Sequence, residues 1–486
     1  MHLCIIGTGS AGWMAANWFA QSEHIKKISI IGSPDVPPIG VGESNTMNLN
    51  YFHRKIGVPM REFISQSDAA IKYGVYYKNW SRHNFIHNFK GSEPWQSLKI
   101  SAVGYFQSFA NKPLEVPFHD YYGRDLMDAI EQNMLILDEQ RYYPMSYHFD
   151  AGKYIKFLES LFPQKAIQNG KEYEVIHKTV VDCVFDSEEK VKSVVLSDGT
   201  TVEADYFIFA TGTSDFTEKV LKIKYKSLEH VLLTNKALVY PLKYKNRREE
   251  FHPYTVAKTM KHGWRWITPT WSRIGTGYVF SDKYVSVDDA RQEFLDDIGD
   301  HTISPFLVDF TPRYSEKTYY DNFCLIGMSN GFLEPLDAPG ITITLMAIQG
   351  LGDIIHQQKS VYIGGDKDAQ KYYREITNNM VRDRYEFWAS FILTQYKTCY
   401  RNDTSFWRDH KKAFFEYYER LMQSIDMETI HESMSETNRD MLYCTIAAKD
   451  YGWNIPFSRV PFKIPKVQFA HKHHEDYIQS FHSNEQ

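Results

Sequence analysis

The sequence lacks the features that point to nucleic acid or membranes as partners. Its 486 residues include no long basic run and no apolar stretch of membrane-spanning length. The 55 basic and 60 acidic residues leave a net charge of −5. We therefore expect no nucleic acid and no membrane among the partners of this protein.

Cysteine is also scarce, with 5 residues and no C-x-x-C pair. This usage favours reduced thiols in a protein core over a disulfide framework or a zinc site. The run from His471 to His474 offers imidazoles, but no second ligand cluster accompanies it, so we interpret it as a solvated tail and expect no metal. The first residues already form a predicted buried strand, so we expect no signal peptide and a cytoplasmic location.

Aromatic residues, by contrast, are abundant. The 31 Phe, 33 Tyr and 10 Trp residues make up 15% of the sequence. Most of them are expected in packed cores, and they also suit a pocket for a flat ligand. With 486 residues, 43% of them hydrophobic and 24% charged, the chain exceeds one simple core, and two or three packed subdomains are expected.

The N-terminal segment predicts a dinucleotide-binding turn. A predicted parallel strand, Leu3–Ile6, is followed by glycines with the spacing G-x-G-x-x-G and then by an apolar helix. The first glycine permits the tight turn, the second admits a pyrophosphate to the backbone, and the third lets helix and strand pack closely. Phosphates would bind the N–H groups at the positive end of the helix. The cofactor-binding residues predicted here are Gly7, Thr8, Gly9, Ser10, Ala11 and Gly12.

Further segments of this kind follow along the chain. A second buried strand, Ile28–Ile31, ends at Gly32, where nucleotide-binding folds usually carry an acid for the ribose. Two more predicted strands end in glycine-containing turns, which let a flavin pass close to the backbone or aim N–H groups at it. The cofactor-binding residues predicted in these parts are Ser33, Ile39, Gly40, Val41, Gly42, Glu43 and Ser44 in a Gly/Pro loop, Val181 in the two strands expected between Tyr173 and Leu196, Gly212 after Ala210-Thr211, and Gly327 with Met328.

One lysine, Lys72, lies inside an apolar, strand-like run. A lysine in such a place is usually an edge residue whose ammonium reaches water, and the alternative is a reactive amine activated by burial. From this segment alone, the edge residue is favoured. Further along, Asp150 is expected to cap a helix that runs to Leu161, and His148 is interpreted as a core histidine with satisfied hydrogen bonds.

Residues 230–310 predict a second, mostly antiparallel sheet with two tryptophans at its centre. Trp264 and Trp266 are two residues apart on one strand and therefore share a face. Either they fill a core, or they wall a passage that keeps water away from a reactive species. From about residue 360 onward, the pattern predicts helices rich in aromatic residues.

Together, these segments resemble the flavin-dependent halogenases, a branch of the FAD monooxygenase superfamily, from Met1 to about residue 410. The most specific part is similar to the W-x-W-x-I-P motif of that family, here Trp264, Trp266 and Pro269, with Thr268 at the usual Ile. This motif separates halogenases from hydroxylating monooxygenases. The other matching segments are the nucleotide loop, Gly40–Ser44, Lys72 with Asn79-Trp80, Tyr147–Asp150, the run R-I-G-T-G-Y-V from Arg273, and the helix around Arg382–Trp388.

The resemblance implies a two-component enzyme. A separate flavin reductase supplies FADH2, which with oxygen and a halide ion yields hypohalous acid. A tunnel flanked by Trp264 and Trp266 leads the acid to Lys72, which hydrogen-bonds it or forms a haloamine and aims the halogen at an electron-rich aromatic substrate. Lys72 thereby takes a catalytic role instead of an edge position. A carboxylate assists in the family, and the matching residue is Asp337, one methylene shorter than the usual Glu, with Glu334 as a substitute.

Two departures from the family bear on specificity. The usual Ser-Thr-Gly after the carboxylate is Ala338-Pro339-Gly340 in this chain. The halide is expected at the backbone of Pro339, Gly340 and Ile341, and one donor is lost because proline has no N–H. Chloride is the most strongly hydrated of the three halides and needs those donors most, so we hypothesise a preference for bromide or iodide. The segment that clamps free tryptophan is not recognisable near residues 427–441, so another indole, a phenol or a similar ring is expected as substrate.

The expected fold is α/β, with a three-layer β/β/α FAD-binding domain, an antiparallel substrate-side sheet and a helical C-terminal region. An FAD-dependent hydroxylase and a flavin-binding protein without catalysis are the alternatives, and the oligomeric state is left open. The predicted segments are residues 1–80, 146–225 and 316–360 for FAD binding, 81–145 as a substrate-side insertion, 226–315 as the antiparallel sheet with the tryptophan motif, and 361–486 as the helical region that covers the substrate.

Overall fold

The computed structural model describes most of the chain, namely residues 1–35, 43–45, 48–80, 84–88, 134–137, 145–359, 365–424 and 470–482. The predicted cofactor residues Ile39, Gly40, Val41 and Gly42, most of the insertion 81–145 and the region 427–441 lie outside the described residues. The chain divides into two compact units. The first comprises residues 1–69, 149–229 and 310–386, and the second comprises residues 70–148, 230–309 and 387–486.

Helices and strands alternate along the described chain. The helices are α1 (Ser10–Phe19), α2 (Asn48–Lys55), α3 (Met60–Gln66), α4 (Ala151–Gln168), α5 (Phe216–Lys219), α6 (Arg247–Glu250), α7 (Val287–Ile298), α8 (Gly340–Gln358), α9 (Lys367–Thr398), α10 (Ser405–Ser424) and α11 (His474–His482). The strands are β1 (His2–Ile6), β2 (Lys27–Ile31), β3 (Glu43–Ser44), β4 (Ala70–Lys72), β5 (Gly74–Lys78), β6 (Phe85–Asn88), β7 (Met134–Leu137), β8 (Ser146–Phe149), β9 (Glu172–Ile176), β10 (Val180–Ser187), β11 (Lys190–Leu196), β12 (Thr201–Glu203), β13 (Tyr206–Phe209), β14 (Tyr225–Ser227), β15 (Lys236–Leu242), β16 (Thr255–Met260), β17 (Gly263–Pro269), β18 (Ile274–Phe280), β19 (Phe306–Asp309), β20 (Arg313–Ser315), β21 (Phe323–Leu325), β22 (Gly331–Phe332) and β23 (Ala470–His473).

A parallel sheet with the order β21-β13-β1-β2-β9 forms the centre of the first unit. One face of this sheet packs on a second, antiparallel sheet, β10-β11-β12. Phe207 and Phe209 of β13 share an apolar core with Val194 and Leu196 of β11. Strands that are covered on both faces are apolar throughout, which explains why the sequence shows continuous hydrophobic runs at β1, β2 and β13.

Helices α1, α4 and α8 supply the third layer of the first unit. Asn17 of α1 is buried, and its Nδ2 donates to the carbonyl oxygens of Trp13 and of Leu158 in α4, both at 2.9 Å. These two bonds satisfy the amide nitrogen of Asn17 inside an apolar helix contact. The predicted β/β/α fold class is thereby confirmed.

Helix α4 begins as predicted and ends later than predicted. Asp150 is its N-cap, and its Oδ1 accepts from the backbone N–H of Lys153 at 2.9 Å. The helix continues past the predicted end at Leu161 to Gln168, through Pro163. The proline removes one backbone donor, but the buried apolar side chains on either side of it keep the helix packed.

A larger sheet with the order β19-β15-β18-β17-β16-β5-β6 dominates the second unit. Its neighbouring strands are antiparallel, except that β5 and β16 run parallel. Helix α7 packs on this sheet, with Phe294 against Tyr278 and Phe280. The antiparallel sheet predicted for residues 230–310 is confirmed, and β5 and β6 extend it.

The strand-like run around Lys72 is divided at Tyr73. The N–H of Tyr73 donates to the carbonyl oxygen of Pro253 at 2.8 Å, between β4 and β5. Strand β4 pairs antiparallel with β8, which places Lys72 opposite Ser146, whereas β5 joins the larger sheet. Lys72 is therefore the last residue of the short strand β4, which is not part of the larger sheet.

Three other expectations have different outcomes. Cys4, Cys183, Cys324 and Cys399 are buried free thiols, as predicted. Residues 172–196 form three strands instead of two, because β9 joins the parallel sheet before β10 and β11 form a hairpin. The segment boundaries proposed from the sequence stay predictions.

Within the described ranges, no helix has the length and apolar character to cross a membrane.

Candidate active site

The turn after β1 leaves space at the start of α1. Gly7 has φ +121°, a backbone conformation that other residues rarely adopt. A Cβ on Gly12 would lie 1.9 Å from the Gly7 carbonyl oxygen, whereas a Cβ on Gly9 would meet no atom within 4 Å. The fold therefore requires Gly7 and Gly12, and the open space at Gly9 fits the pyrophosphate of FAD on the helix N-terminus.

Residue 32 directly follows β2, where nucleotide-binding folds usually carry an acid for the ribose. In this chain, packing against Thr8 favours glycine at this position. A Cβ at this position would lie 2.3 Å from the side chain of Thr8. The next residue, Ser33, is held by a 2.8 Å hydrogen bond between its Oγ and Oγ1 of Thr179. A carboxylate side chain at residue 32 would therefore require the side chain of Thr8 to move.

Two further predicted turns lie at the same edge of the parallel sheet as the turn after β1. Gly212 follows β13 with φ +68°, and Gly327 follows β21 with φ +65°. A Cβ on Gly327 would lie 2.9 Å from the Cβ of Ala11 in α1. Because the carboxyl ends of parallel strands meet at one edge, the structure brings these turns together there. Met328 next to Gly327 is partly exposed, and Val181 lies half exposed on β10 of the other sheet.

The segment between β22 and α8 combines two buried carboxylates with an unusual backbone. Glu334 and Asp337 are only 1% and 3% exposed. Asp337 and Ala338 have φ values of +59° and +54°, in the left-handed region that favours glycine. Two consecutive residues in this conformation fix the direction in which the chain enters α8.

Helix α8 starts directly after this turn with Pro339 as its N-cap residue. The N–H of Ile343 donates to the Pro339 carbonyl oxygen at 3.0 Å. The N–H groups of Gly340 and Ile341 precede this first intrahelical bond, and a Cβ on Gly340 would meet no atom within 4 Å. A helix start of this kind suits a small anion. The halide site at this position stays a prediction.

Lys72 is fully buried, with 0% of its surface exposed. Its interpretation as an edge residue whose ammonium reaches water is therefore wrong. Lysine is almost never fully buried without partners, because an ammonium loses its hydration in a protein interior. The structure thus agrees with the buried amine that the resemblance implies.

His148 lies on the same face of the β4–β8 pair as Lys72 and is its diagonal neighbour. Its Nδ1 is 3.0 Å from the Pro269 carbonyl oxygen, and its Nε2 is 2.7 Å from Oγ1 of Thr255. Nδ1–H thus donates to the carbonyl, and Nε2 accepts from the hydroxyl. Burial first, and then the nearby Lys72 charge, hold the pKa of His148 well below its usual value. The predicted core histidine is confirmed, and it joins β8 to the last residue of the tryptophan motif.

Trp264 and Trp266 lie buried on one face of β17, with their ring centroids 6.3 Å apart. Gly277 of β18 pairs with Trp266, and a Cβ on Gly277 would lie 2.1 Å from the indole. The glycine in the R-I-G-T-G-Y-V run therefore makes room for this tryptophan. Arg265, between the two, is bound through Nη1 to Oδ2 of Asp297 at 2.8 Å.

The sequence did not reveal which aromatic residues pack beside this motif. The rings of Trp80 and Trp407 meet at 5.5 Å in an edge-to-face arrangement, and Tyr396 packs on both. Trp80 Nε1 donates to the carbonyl oxygen of Ala257 at 2.9 Å, and Trp407 Nε1 donates to that of Met260 at 3.1 Å. Both bonds reach β16, the strand next to β17.

The interpretation of the His471–His474 run as a solvated tail is wrong for His474. Its side chain is fully buried and stacks on Phe251, with ring centroids 4.3 Å apart. Its Nε2 accepts from the backbone N–H of Ile71 at 3.1 Å. The available sequence signal was Ile478, one helical turn later, which is also buried in α11.

One group of potential metal ligands occurs among the described residues. Glu23, His24 and His356 bring one ligand atom each within 4.8 Å of one another. Nε2 of His24 and Nδ1 of His356 are 3.2 Å apart, which is a hydrogen-bond distance. That hydrogen bond accounts for the approach of the two rings, so the group does not point to a metal.

Known proteins resemble this chain over most of its length. The family model described as tryptophan halogenase matches residues 2–446. The tryptophan 7-halogenase RebH of Lentzea aerocolonigenes is 25% identical over 447 residues, which cover 87% of this chain and 81% of RebH. The crystal structure of the tryptophan 6-halogenase SttH of Streptomyces toxytricini aligns with a TM-score of 0.74 at 24% identity, over 92% of this chain and 89% of SttH. A tryptophan halogenase structure from Shewanella frigidimarina aligns with a TM-score of 0.75 at 20% identity, over 100% of this chain and 93% of that one.

The matched range includes the turn after β1, Lys72, the tryptophan motif and the start of α8. Enzymes of this family use FADH2 and halide, and they typically take the reduced flavin from a separate reductase. The chain therefore belongs to the tryptophan halogenase family and is a flavin-dependent halogenase.

Proposed function

We propose that this enzyme halogenates an electron-rich ring other than free tryptophan, such as another indole or a phenol, and that Lys72 delivers the halogen. The observation that supports the role of Lys72 is its complete burial beside the neutral His148. The substrate class is proposed from the sequence near residues 427–441, where the segment that clamps free tryptophan is not recognisable. Burying an amine costs free energy, so a lysine in this place is best explained by its chemistry.

Lys72 acts on hypohalous acid, HOX, by one of two routes. As an ammonium, it donates an N–H to the oxygen of HOX. The ring carbon then forms a bond to X as the X–O bond breaks, and the departing oxygen takes a proton from Lys72 and leaves as water. The ring proton goes to a carboxylate, which returns it to Lys72. As an amine, Lys72 first forms a haloamine and water, and the haloamine then gives X to the ring and takes back a proton. Both routes convert one ring C–H and one HOX into one C–X and one water.

The cofactor would be held by the turn Gly7–Gly12 together with the turns at Gly212 and Gly327. When bound as FADH2, which we propose comes from a separate reductase, it supplies HOX from oxygen and halide. Trp264 and Trp266 are proposed to shield HOX from water on its path. Asp337 is proposed to receive the ring proton, with Glu334, equally buried, as the second candidate.

We further propose that the enzyme prefers bromide or iodide to chloride. The N–H groups of Gly340 and Ile341 lie at the open start of α8, and Pro339 contributes none. A strongly hydrated ion loses more by entering a site with fewer donors, so chloride is disfavoured.

A panel of aromatic compounds tests the proposal. Each compound is incubated with the enzyme, FAD, a generic flavin reductase, NADH, oxygen and one halide, and the products are identified by mass spectrometry. We expect halide-dependent products from indoles or phenols and little product from free tryptophan. Free tryptophan as the best substrate would overturn the substrate class. Halide-independent hydroxylation would favour the hydroxylase alternative instead.

A further inference from the structure

Among the described strands, the strand that carries Lys72 pairs with β8 alone, along one of its two edges. Backbone N–H groups alternate between the two edges of a strand, so those of Ile71 and Tyr73 point to the other edge. The N–H of Tyr73 donates to the carbonyl oxygen of Pro253 at 2.8 Å. The N–H of Ile71 donates to Nε2 of His474 at 3.1 Å. The two donors that flank Lys72 are thus both satisfied from outside the β4–β8 pair.

The imidazole of His474 replaces a backbone acceptor at this edge. Since Nε2 accepts from Ile71, the proton is on Nδ1, which is 3.1 Å from the carbonyl oxygen of Phe251 and donates to it. The ring also stacks on Phe251 at an angle of 7°. Burial lowers the pKa of His474 to about 3, so the neutral form that accepts from Ile71 persists at ordinary pH.

The C-terminal segment Ala470–His482 is held in this place by several other contacts. Strand β23 pairs with β7, and Ile478 of α11 is buried. Charged and aromatic contacts add to these, namely Arg247 with Glu475 at 3.4 Å, Arg248 with Asp476 at 2.6 Å, and the stacked rings of Trp271 and His482 at 4.7 Å. The position of His474 is therefore fixed independently of its contact with Ile71.

We propose that His474 is a positioning residue for Lys72, through which the C-terminal segment fixes the outer edge of β4. The inference rests on the proposed role of Lys72. When the edge is held, the amine stays where it receives hypohalous acid. When the edge is released, the acid still forms but escapes before it reaches the substrate ring.

The variants His474→Ala and His474→Gln test this role in the full-length enzyme. Glutamine places an amide oxygen near the position of Nε2, so it can still accept from Ile71, whereas alanine cannot. The control is His473→Ala. This neighbouring histidine accepts from the N–H of Glu475 at 3.3 Å, so its removal leaves the acceptor of Ile71 in place. Two quantities are measured: deuterium exchange at the amide of Ile71 without flavin, and the division of hypohalous acid between the ring and the soluble trap 2-chlorodimedone.

We expect His474→Ala to accelerate exchange at Ile71 about tenfold or more, because a buried donor loses its acceptor. The ratio of ring product to trapped acid should fall about tenfold, in line with a misplaced reacting group. Total acid should stay the same, His474→Gln should recover part of both losses, and His473→Ala should match the wild type.

Unchanged exchange at Ile71 and an unchanged ratio in His474→Ala would overturn the inference. Lys72→Met in the same assay separates this failure from that of the proposed function. If only Lys72→Met lowers the ratio, the positioning role alone is wrong. If neither variant lowers it, the role of Lys72 is wrong as well. The wild type provides a check that needs no variant, because rapid exchange at Ile71 would also contradict the proposed contact.

Discussion

Gly12 and Gly9 of the turn after β1 are expected to have different roles. Gly12 is required by the fold, whereas Gly9 leaves space for the cofactor. In Gly12→Ala, the new Cβ would lie 1.9 Å from the Gly7 carbonyl oxygen. We expect this variant to lose about 1–3 kcal/mol of unfolding free energy. In Gly9→Ala, the new Cβ meets open space, so stability should change by less than about 0.5 kcal/mol. FAD affinity, measured by fluorescence titration, should nevertheless fall, because the methyl group occupies the proposed phosphate space.

Chemical denaturation of the two flavin-free variants measures the stability part of this prediction. Equal losses of stability in Gly9→Ala and Gly12→Ala would contradict the assignment. Unchanged FAD binding by Gly9→Ala would contradict the proposed position of the pyrophosphate.

Pro339 is the residue through which we expect halide choice to be altered. Pro339→Thr restores a backbone N–H at the start of α8. A hydrogen bond to an ion contributes about 1.5–3 kcal/mol, and the more strongly hydrated chloride gains most from it. The ratio of chlorinated to brominated product, measured with both halides at equal concentration, should therefore rise several-fold.

Pro335→Ala is the matched control, because Pro335 lies between the two buried carboxylates, before the start of α8, and its carbonyl oxygen accepts from the N–H of Ala338 at 3.0 Å. This variant should keep the wild-type ratio. A clear preference of the wild type for chloride would end the hypothesis, as would an unchanged ratio in Pro339→Thr.

The start of helix α4 depends on one carboxylate. Asp150 accepts from the N–H of Lys153, whereas Asp215 occupies the same position before the short helix α5 without a cap hydrogen bond. Asp150→Ala should lower the unfolding free energy by about 1 kcal/mol. Asp215→Ala should change it by less than about 0.5 kcal/mol. Chemical denaturation of both variants checks this, and similar losses in both would show that the cap of α4 is unimportant.

Elements with local signals could be predicted from the sequence. The strands β1 and β2, the glycine turn and the Asp150 cap each depend on a few neighbouring residues. The end of α4 could not be predicted, since Pro163 is tolerated only because its neighbours are packed. The break at Tyr73 and the burial of His474 also escaped prediction, because each depends on a carbonyl oxygen of the Phe251–Pro253 segment, far away in the sequence.

The fold and the enzyme family could be predicted for the molecule as a whole, because several independent segments agree with one family. The environment of Lys72 illustrates what the sequence could not predict. Its local sequence favours an edge residue, and only the packing of β4 against His148 and His474 shows that it is buried. Substrate choice depends on surfaces built from several distant segments, so it could not be derived from any one motif.

Stability of the whole protein should fall in mild acid because several histidines are buried in their neutral form. Burial lowers the pKa of His53 to about 3 and those of His252 and His410 to about 4. The unfolded chain takes up a proton near pH 6.5 that the folded chain refuses. Stability is therefore retained above pH 6.5 and falls, for each such histidine, by up to about 1.4 kcal/mol per pH unit until the folded pKa is reached.

The variant His410→Gln measures one of these contributions. Between pH 6 and pH 4, its unfolding free energy should depend on pH less steeply than that of the wild type, by about 1 kcal/mol per pH unit. Identical slopes in the wild type and His410→Gln would show that this histidine is not held neutral.

The most direct measurement of the central claim compares Lys72→Met with the wild type under halogenating conditions. Hypohalous acid is measured with the trap, and the halogenated ring is measured by mass spectrometry, with exposed Lys78→Met as the control. The account predicts unchanged total acid and a ring product reduced about a hundredfold or more, the order expected for loss of a proton-donating catalytic group. Wild-type ring halogenation by Lys72→Met would contradict it.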